Sequence, residues 1–224
     1  MPEGRAELDP AVLELLSAPA PQVAPRLLGA VLSTTGAEGR VALRITEVEA
    51  YGGPADSDLP DPGAHTYRGQ TARNSSMFAA PGHIYVYFTY GMHHAVNLVC
   101  RPVGSAGGCL IRAGEVIHGQ ELARRRRAAR RSTAVADVAL ARGPGNVAQA
   151  LGLTLDHDAA PLTADPQEPG VHLELGDAVE AVTVTARTGV SGPGGDGESF
   201  PWRFAVTGDP TVSPYRAAAP RKGR

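Results

Sequence analysis

The sequence predicts a single mixed α+β domain. Short segments with a helical apolar period are interspersed with segments in which side chains alternate every second residue. The length of 224 residues suits one domain with its own hydrophobic core. Neither an internal repeat nor a linker-like change in composition divides the chain. We therefore expect one domain over residues 1–215, followed by a disordered basic tail at 216–224.

Two short helices are predicted at the start of the chain. Asp9 followed by Pro10 is typical of an N-cap and a first helical position, so the first helix should extend through Leu16. The second helix is predicted from Val23 to Leu32, where large aliphatic residues have helical spacing.

A long strand is predicted from Val41 to Tyr51, after a turn at residues 36–39. Regular alternation places every second side chain on one face of a strand. The expected face consists of Leu43, Ile45, Glu47, Glu49 and Tyr51. We expect this face to begin in the core and to end at the edge of a pocket.

The remaining elements are shorter. Residues 52–73 are rich in Gly, Pro and Asp and form a loop long enough to carry function. The predicted strands are Ile84–Phe88, Ala95–Val99, Cys109–Ala113 and Val179–Arg187, with a turn at Tyr90-Gly91. The arginine-rich residues 124–131 are predicted to form a helix or a loop entering one, and Val147–Leu151 a short helix. Residues 189–199 are predicted to form a flexible glycine-rich loop.

The charges are unevenly distributed, although the net charge is only −2. Residues 61–150 contain eleven arginines and four acids, whereas residues 151–200 contain one arginine and nine acids. A basic region beside a pocket favours a polyanionic ligand. The same pattern also occurs on ordinary solvated helices, so charge alone does not decide between the two interpretations.

Other sequence features argue against several protein classes. No run of 18 apolar residues occurs, so a membrane span is not expected. The N-terminal residues lack the apolar core of a signal peptide. Two cysteines, Cys100 and Cys109, are too few for a disulfide framework and fit a reducing compartment. We therefore expect a cytoplasmic protein without a membrane partner.

Five of the six tyrosines fall between residues 51 and 90, close to the two glutamates of the long strand. Flat rings stack on purines, and a carboxylate can activate water and oppose a developing positive charge. The tyrosines could equally be core residues of strands, and Glu47 and Glu49 could be solvated edge-strand residues. Tyr90 differs because a ring at a turn is well placed to insert into a base stack.

Four histidines, at positions 65, 83, 93 and 94, raise the question of a metal site. The ligand spacings of known zinc sites are missing. Adjacent histidines on a strand, such as His93 and His94, point to opposite faces. We therefore expect no metal ion and no other cofactor.

At these residues the chain resembles the alkylpurine (3-methyladenine) DNA glycosylase family, the type that includes mammalian alkyladenine glycosylase. The matching motifs are Thr46–Tyr51, Tyr67–Asn74, Met77-Phe78, Pro81–Tyr87, Tyr90–His93, Asn97, Leu110–Ala113, Gly143–Gly145, Ala150–Gly152 and Pro201–Phe204. The resemblance extends from about Ala24 to Val212. It implies a bacterial member with a curved antiparallel sheet surrounded by helices, a fold also found in the C-terminal domain of a formyltransferase. The spacer Leu59–Pro62 is longer than the mammalian type has, and Asn146 stands where many relatives have lysine.

The resemblance also implies roles for residues in the pocket. Glu49 resembles the general base that activates water. Tyr51, His65 and Tyr87 resemble the residues that sandwich and contact the flipped base. Tyr85 resembles the residue that supports His65.

Further roles concern the DNA and the choice of base. Tyr90 resembles the residue that fills the gap left in the duplex. Asn97 resembles the residue whose amide crowds the exocyclic amino group of normal guanine. Arg112 resembles a phosphate contact, and Arg73 lies in a matching motif and is predicted to bind DNA.

The implied function is base-excision repair. The enzyme would flip an alkylated or deaminated purine out of double-stranded DNA and hydrolyse its N-glycosidic bond. Its partner would be duplex DNA with damaged purines, bound by a monomer associated with the nucleoid. Lys222 is the only lysine, so a Schiff-base lyase step is not expected.

Two alternatives remain at this point. A non-catalytic module that binds RNA or DNA could use the same type of fold. Glu49 argues against it, because a surface that binds phosphate has little use for a carboxylate. A metal hydrolase would need a ligand set that the sequence lacks.

Overall fold

The computed structural model describes residues 7–89, 91, 93–129 and 134–218. The predictions for Tyr90, for Arg130 and Arg131, and for tail residues 219–224 lie outside the described residues. No helix in the described ranges is long and apolar enough to cross a membrane.

The first helix is confirmed, and the second is shorter than predicted. Helix α1 is Pro10–Leu16, and the Asp9 carboxylate accepts the Ala11 N–H at its start. Helix α2 is Ala20–Arg26. The prediction of helix to Leu32 was wrong, because Gly29 has a φ of +87° that a helix cannot accommodate. The aliphatic residues beyond it belong to a strand that pairs with its neighbour.

The described residues form nine strands in one antiparallel sheet. The strands are β1 Val31–Gly36, β2 Gly39–Tyr51, β3 Ile84–Thr89, β4 His93–Val99, β5 Gly108–His118, β6 Ala141–Arg142, β7 Gly170–Glu174, β8 Val182–Thr185 and β9 Arg203–Val206. Their order is β3-β4-β5-β2-β1-β7, with β6 on β5, β9 on β2 and β8 on β9. The predicted mixed α+β domain with a curved antiparallel sheet is confirmed. The strand predicted at Val179–Arg187 is shorter in the structure.

A pair of β-bulges lies at the centre of the sheet and changes which side chains face the pocket. Along β2 and β5 the register shifts on both sides of Glu47, so that Thr46 and Arg112 have no partner across the ladder. Leu43 and Ile45 precede the bulge and lie in the helix-covered core, whereas Glu47 follows it and lies on the other face. The expectation of one continuous face was therefore wrong, because an unpaired residue reverses the alternation.

The helices cover one face of the sheet and leave the other for the site. Helix α4 is Pro144–Leu151, which extends the predicted helix by three residues at its start. The arginine-rich segment forms the end of α3, Gln120–Ala128, and α3 and α4 both contribute to the main core. A separate small cluster of Met77, Tyr85 and Val99 lies on the site face.

Candidate active site

A cavity of about 360 Å³ opens on the site face of the sheet. Strands β2 to β5 provide its floor, and the loops at residues 62–65 and 188–191 provide its rim. The lining residues include Tyr51, His65, Met77, Tyr85, Tyr87, Asn97, Leu110, Arg112 and Thr188. Its walls therefore combine flat rings with a few polar groups, as expected of a small-molecule or base site.

Three rings form one wall. Tyr85 and Tyr87 alternate onto the same face of β3 and stack with centroids 5.3 Å apart and an interplanar angle of 22°. The ring of His65 meets Tyr87 edge-on at 4.7 Å, and its Nδ1 lies 3.2 Å from the Tyr85 hydroxyl. The expected support of His65 by Tyr85 thus has a matching contact in the structure.

The protonation of this wall follows from its surroundings. Burial raises the pKa of Tyr85 to about 12, so its hydroxyl stays protonated. His65 is exposed as a residue, but removal of part of its ring from water, and then the charge of Arg73, lower its pKa below the ordinary value. The neutral imidazole is therefore favoured at neutral pH, which leaves one ring nitrogen as an acceptor.

Tyr51 is the last residue of strand β2, and it lies between the pocket and the carboxylate of Glu49. Its hydroxyl donates to Glu49 Oε2 at 2.9 Å. Burial, and then the charge of Glu49, raise the pKa of Tyr51 well above its ordinary value, so that it remains a donor. On its ring lies the guanidinium of Arg187, with Cζ 4.6 Å from the ring centroid.

The carboxylate of Glu49 lies directly behind the pocket wall and has no exposed surface. Three groups donate hydrogen bonds to it, namely the Tyr51 hydroxyl, Arg112 Nη1 at 3.1 Å and the Thr188 N–H at 2.6 Å. All three donor residues line the pocket. Glu49 is therefore one layer of atoms from the cavity, and its oxygens are fixed in position.

Glu47 belongs to a buried ion cluster next to Glu49. Its oxygens accept from Arg112 Nε at 2.8 Å, Arg203 Nε at 2.7 Å and the Ser213 N–H at 2.8 Å. Burial alone would raise the pKa of Glu47, but Arg112, the Ser213 side chain and Arg203 together lower it. Burial would likewise lower the pKa of Arg112, but Glu49 and Glu47 raise it above the ordinary value. Glu47 and Arg112 therefore remain charged at neutral pH.

The remaining predicted residues lie around the same cavity. Asn97 is buried on β4 opposite Tyr85, and its amide reaches the Tyr85 carbonyl at 3.4 Å. Arg73 is exposed and donates to the Phe88 carbonyl at 3.1 Å. Arg112 lines the cavity, but its guanidinium is engaged by Glu47, Glu49 and Ser213, so its contact with phosphate stays a prediction.

Several residues that build the site were not predicted from the sequence. They are Asp61, Arg187, Thr188, Arg203 and Ser213. One signal in the sequence indicated that β2 changes the face it turns to the pocket. Successive core residues of a strand are two positions apart, but Ile45 and Val48 are three apart. Within the described part of the chain, no three His, Cys, Asp or Glu side chains form a group that could hold a metal ion.

Comparisons with known proteins identify the family of the chain. Residues 14–210 match the family model described as methylpurine-DNA glycosylase. A protein of Streptomyces avermitilis is 50% identical over 217 residues, covering 96% of both chains. Proteins of Leifsonia xyli and Nocardia farcinica are 49% and 46% identical, over 87% and 88% of this chain and 87% of each relative. All three carry the name "Putative 3-methyladenine DNA glycosylase".

The class is thus a DNA-repair enzyme, a hydrolase of N-glycosyl bonds. More particularly, the chain belongs to the methylpurine-DNA glycosylase family, whose members act on alkylated bases. The alternatives of a non-catalytic nucleic-acid-binding module and of a metal hydrolase are therefore set aside.

Proposed function

We propose that this enzyme takes a damaged purine out of duplex DNA into the cavity and removes it with water activated by Glu49. The observation that carries the proposal is the position of Glu49, whose three hydrogen-bond donors all line the aromatic cavity. A base cannot reach such a recessed site while it is stacked, so the nucleotide has to rotate out of the helix. Damaged or mispaired bases cost less to extrude.

The rings provide binding energy for a base that carries positive charge. A purine alkylated on a ring nitrogen is cationic, and it would lie against Tyr51, Tyr87 and His65. Cations on aromatic faces gain about 0.5–2 kcal/mol from the ring quadrupole. Asn97 is buried and lines the cavity, and in this proposal its amide discriminates against the exocyclic amino group of guanine.

The hydrolysis step follows from the carboxylate. As the bond between the sugar carbon and the base nitrogen breaks, its electron pair leaves with the base and positive charge develops on the sugar. Glu49 opposes that charge and accepts a proton from the attacking water, whose oxygen forms the new bond to the sugar carbon. Since Glu49 lies behind the wall, residues 188–191 have to shift slightly for water to reach it. The products are the free base and an abasic site.

We also propose that the reaction ends at the abasic site, with no strand cleavage, and that the enzyme acts as a monomer on double-stranded DNA. Support comes from the lysine content, since the amine needed for a Schiff base is nearly absent from the chain.

The direct test of this function is base release from duplexes that each carry one 3-methyladenine, 7-methylguanine, hypoxanthine or ethenoadenine. We expect chromatography to detect a free damaged base from at least one duplex and an intact abasic strand. The same duplexes without damage serve as the control. Release of no base from any of the four would contradict the proposal.

A further inference from the structure

A buried ion pair lies behind the aromatic cavity, outside the residues used in the mechanism above. Arg187 Nη1 and Nη2 donate to Asp61 Oδ2 and Oδ1 at 2.6 and 2.7 Å, and neither side chain has any exposed surface. Asp61 also accepts the N–H groups of Gly52 and Gly63. This bidentate ion pair connects the loop that contains His65 to the loop that contains Thr188.

Arg187 is surrounded by rings, one of which belongs to the cavity. Its Cζ is 4.6 Å from the centroid of Tyr51, 5.3 Å from Trp202 and 5.6 Å from Phe200. Tyr51 lines the cavity, whereas the Arg187 side chain is inaccessible. The guanidinium therefore covers the part of the Tyr51 ring that is turned away from the ligand.

The same pair also fixes the carboxylate. Thr188 follows Arg187 directly and donates its N–H to Glu49 Oε1. Arg187 in turn donates to the carbonyls of Ala50 and Gly194. Its position is therefore set by seven contacts, four hydrogen bonds and three ring contacts. A displacement of Arg187 would move both Tyr51 and the donor to Glu49.

We infer that Asp61 and Arg187 are positioning residues, and that the negative charge of Asp61 sets the preference of the cavity for positively charged over neutral bases. This inference rests on the proposed function, because it assumes that Tyr51 stacks on the extruded base.

The physical reason is the location of the two charges relative to one ring. A cationic base on the cavity face of Tyr51 would be repelled by a bare guanidinium on the other face, and Asp61 cancels that repulsion. Arginine does not lose its proton in proteins. Replacing Asp61 with a neutral residue therefore leaves a net positive charge behind the ring. Two like charges on opposite faces of one ring, in a protein interior, change the dissociation constant by about tenfold.

The test is a binding experiment in the Glu49→Gln background, so that no base is released. Dissociation constants are measured for one duplex with cationic 7-methylguanine and for one with neutral hypoxanthine. The variants are Glu49→Gln alone, with Asp61→Asn, and with Asp61→Asn plus Arg187→Gln. Fluorescence of Trp202, the single tryptophan of the chain, reports whether the surroundings of Arg187 are intact.

We expect Asp61→Asn to weaken binding of the 7-methylguanine duplex about tenfold relative to the hypoxanthine duplex. The additional Arg187→Gln should return the ratio of the two dissociation constants to within about twofold of the starting value, because positions 61 and 187 together then carry no net charge, as in the parent Glu49→Gln protein. The ratio, rather than either constant, carries the result, since a loosened loop weakens both complexes.

Equal weakening of both complexes, or a ratio that the second substitution fails to restore, would overturn the inference. If Asp61→Asn does not fold, Trp202 emits at the wavelength of the urea-unfolded chain. In that case the variant with Arg187→Gln alone is measured instead. That variant must not lower the preference for 7-methylguanine, and a decrease would overturn the inference. If the parent Glu49→Gln protein binds neither damaged duplex better than undamaged DNA, the proposed function itself has failed.

Discussion

At the scale of single residues, Glu47 and Glu49 have the same side chain and different surroundings. Glu47 is held by two arginines and a backbone N–H within the protein. Glu49 is held by three groups that line the cavity. The difference assigns a structural task to Glu47 and makes Glu49 the carboxylate that lies directly behind the cavity wall.

We predict that Glu47→Gln destabilises the fold. The substitution leaves Arg112 and Arg203 buried with less compensating charge, which costs about 3–5 kcal/mol when one partner of a buried pair is removed. Urea unfolding gives the free energy. The control is Glu121→Gln, an exposed partner of Arg124, which should change it by less than about 1 kcal/mol. A loss for Glu47→Gln no larger than that of the control would contradict the prediction.

The contribution of Glu47 to the free energy of unfolding should also depend on pH. Its pKa is lower in the folded protein than in the unfolded chain. The stabilisation is therefore complete above the unfolded value of about 4.3 and is lost as the pH falls through the lower folded value. The difference in unfolding free energy between wild type and Glu47→Gln should shrink in that acidic range. A difference that stays constant from neutral pH to pH 3 would argue against this origin.

At the scale of elements, sequence reasoning placed most strands but not the features that build the site. Strands at Ile84–Thr89 and His93–Val99 lie within two residues of the predicted bounds, whereas β5 continues five residues beyond its predicted end at Ala113. The alternation of β2 is broken by the bulge at Thr46, and a local rule for regular strands cannot represent an unpaired residue. Leu32 was misassigned because its partner is supplied by a strand that comes later in the chain.

The pocket was predicted more completely on its aromatic side than on its ionic side. Tyr51, His65, Tyr85, Tyr87 and Asn97 were identified and all line one cavity. Asp61 and Arg187 are 126 positions apart, and they meet only through the folding of two loops without regular structure. Composition and spacing contain no information about such a pair.

The loop that contains residues 62–65 contacts the loop that follows Arg187 where Gly63 meets Gly194. We predict that Gly194→Ala disrupts this contact. A Cβ on Gly194 would lie 2.2 Å from the Gly63 nitrogen and 2.6 Å from its Cα, so backbone would have to move. The cost should be about 1–3 kcal/mol, with a reduced excision rate. Gly36→Ala, where a Cβ would meet nothing within 4 Å, is the control. Unchanged stability and rate for Gly194→Ala would show that the loops are not in tight contact.

Tyr90 lies between β3 and β4 in the sequence and outside the described residues, and its role stays a prediction. We expect Tyr90→Ala to weaken binding to damaged duplex by about 1–3 kcal/mol, the range for loss of one stacked ring. Affinity for undamaged duplex should change far less. Titration with each duplex measures the two losses in binding free energy. Equal losses would mean that the Tyr90 ring does not fill the gap left by the extruded base.

At the scale of the whole molecule, the basic region of the sequence is partly neutralised in the structure. Among the arginines of this region that the structure describes, those at positions 101, 112, 124 and 126 are paired with acids. Segregated charge in the sequence therefore overstates the free positive surface. Arg73, exposed near the aromatic wall, remains a candidate for contact with DNA.

The chemistry expected of the whole chain includes no covalent intermediate. Lys222 is the single lysine, and both it and the N-terminal amine lie outside the described residues. Borohydride added during turnover traps a Schiff base as a stable adduct, and we expect none with this enzyme. A lyase that uses a lysine serves as the positive control. A trapped adduct would show that an amine, and not water, attacks the sugar.

The central claim, that Glu49 activates the water that releases the base, is tested most directly by single-turnover excision with Glu49→Gln. The amide oxygen can still accept hydrogen bonds from Tyr51 and Arg112, but the amide NH2 then faces the Thr188 N–H and cannot accept from it, and the amide takes no proton from water. We predict that the rate of base release falls by at least about 10²–10⁴-fold, while binding to a duplex with an abasic-site analogue is preserved. Release at the wild-type rate by folded Glu49→Gln, with folded Glu47→Gln inactive, would contradict the claim and identify Glu47 as the base.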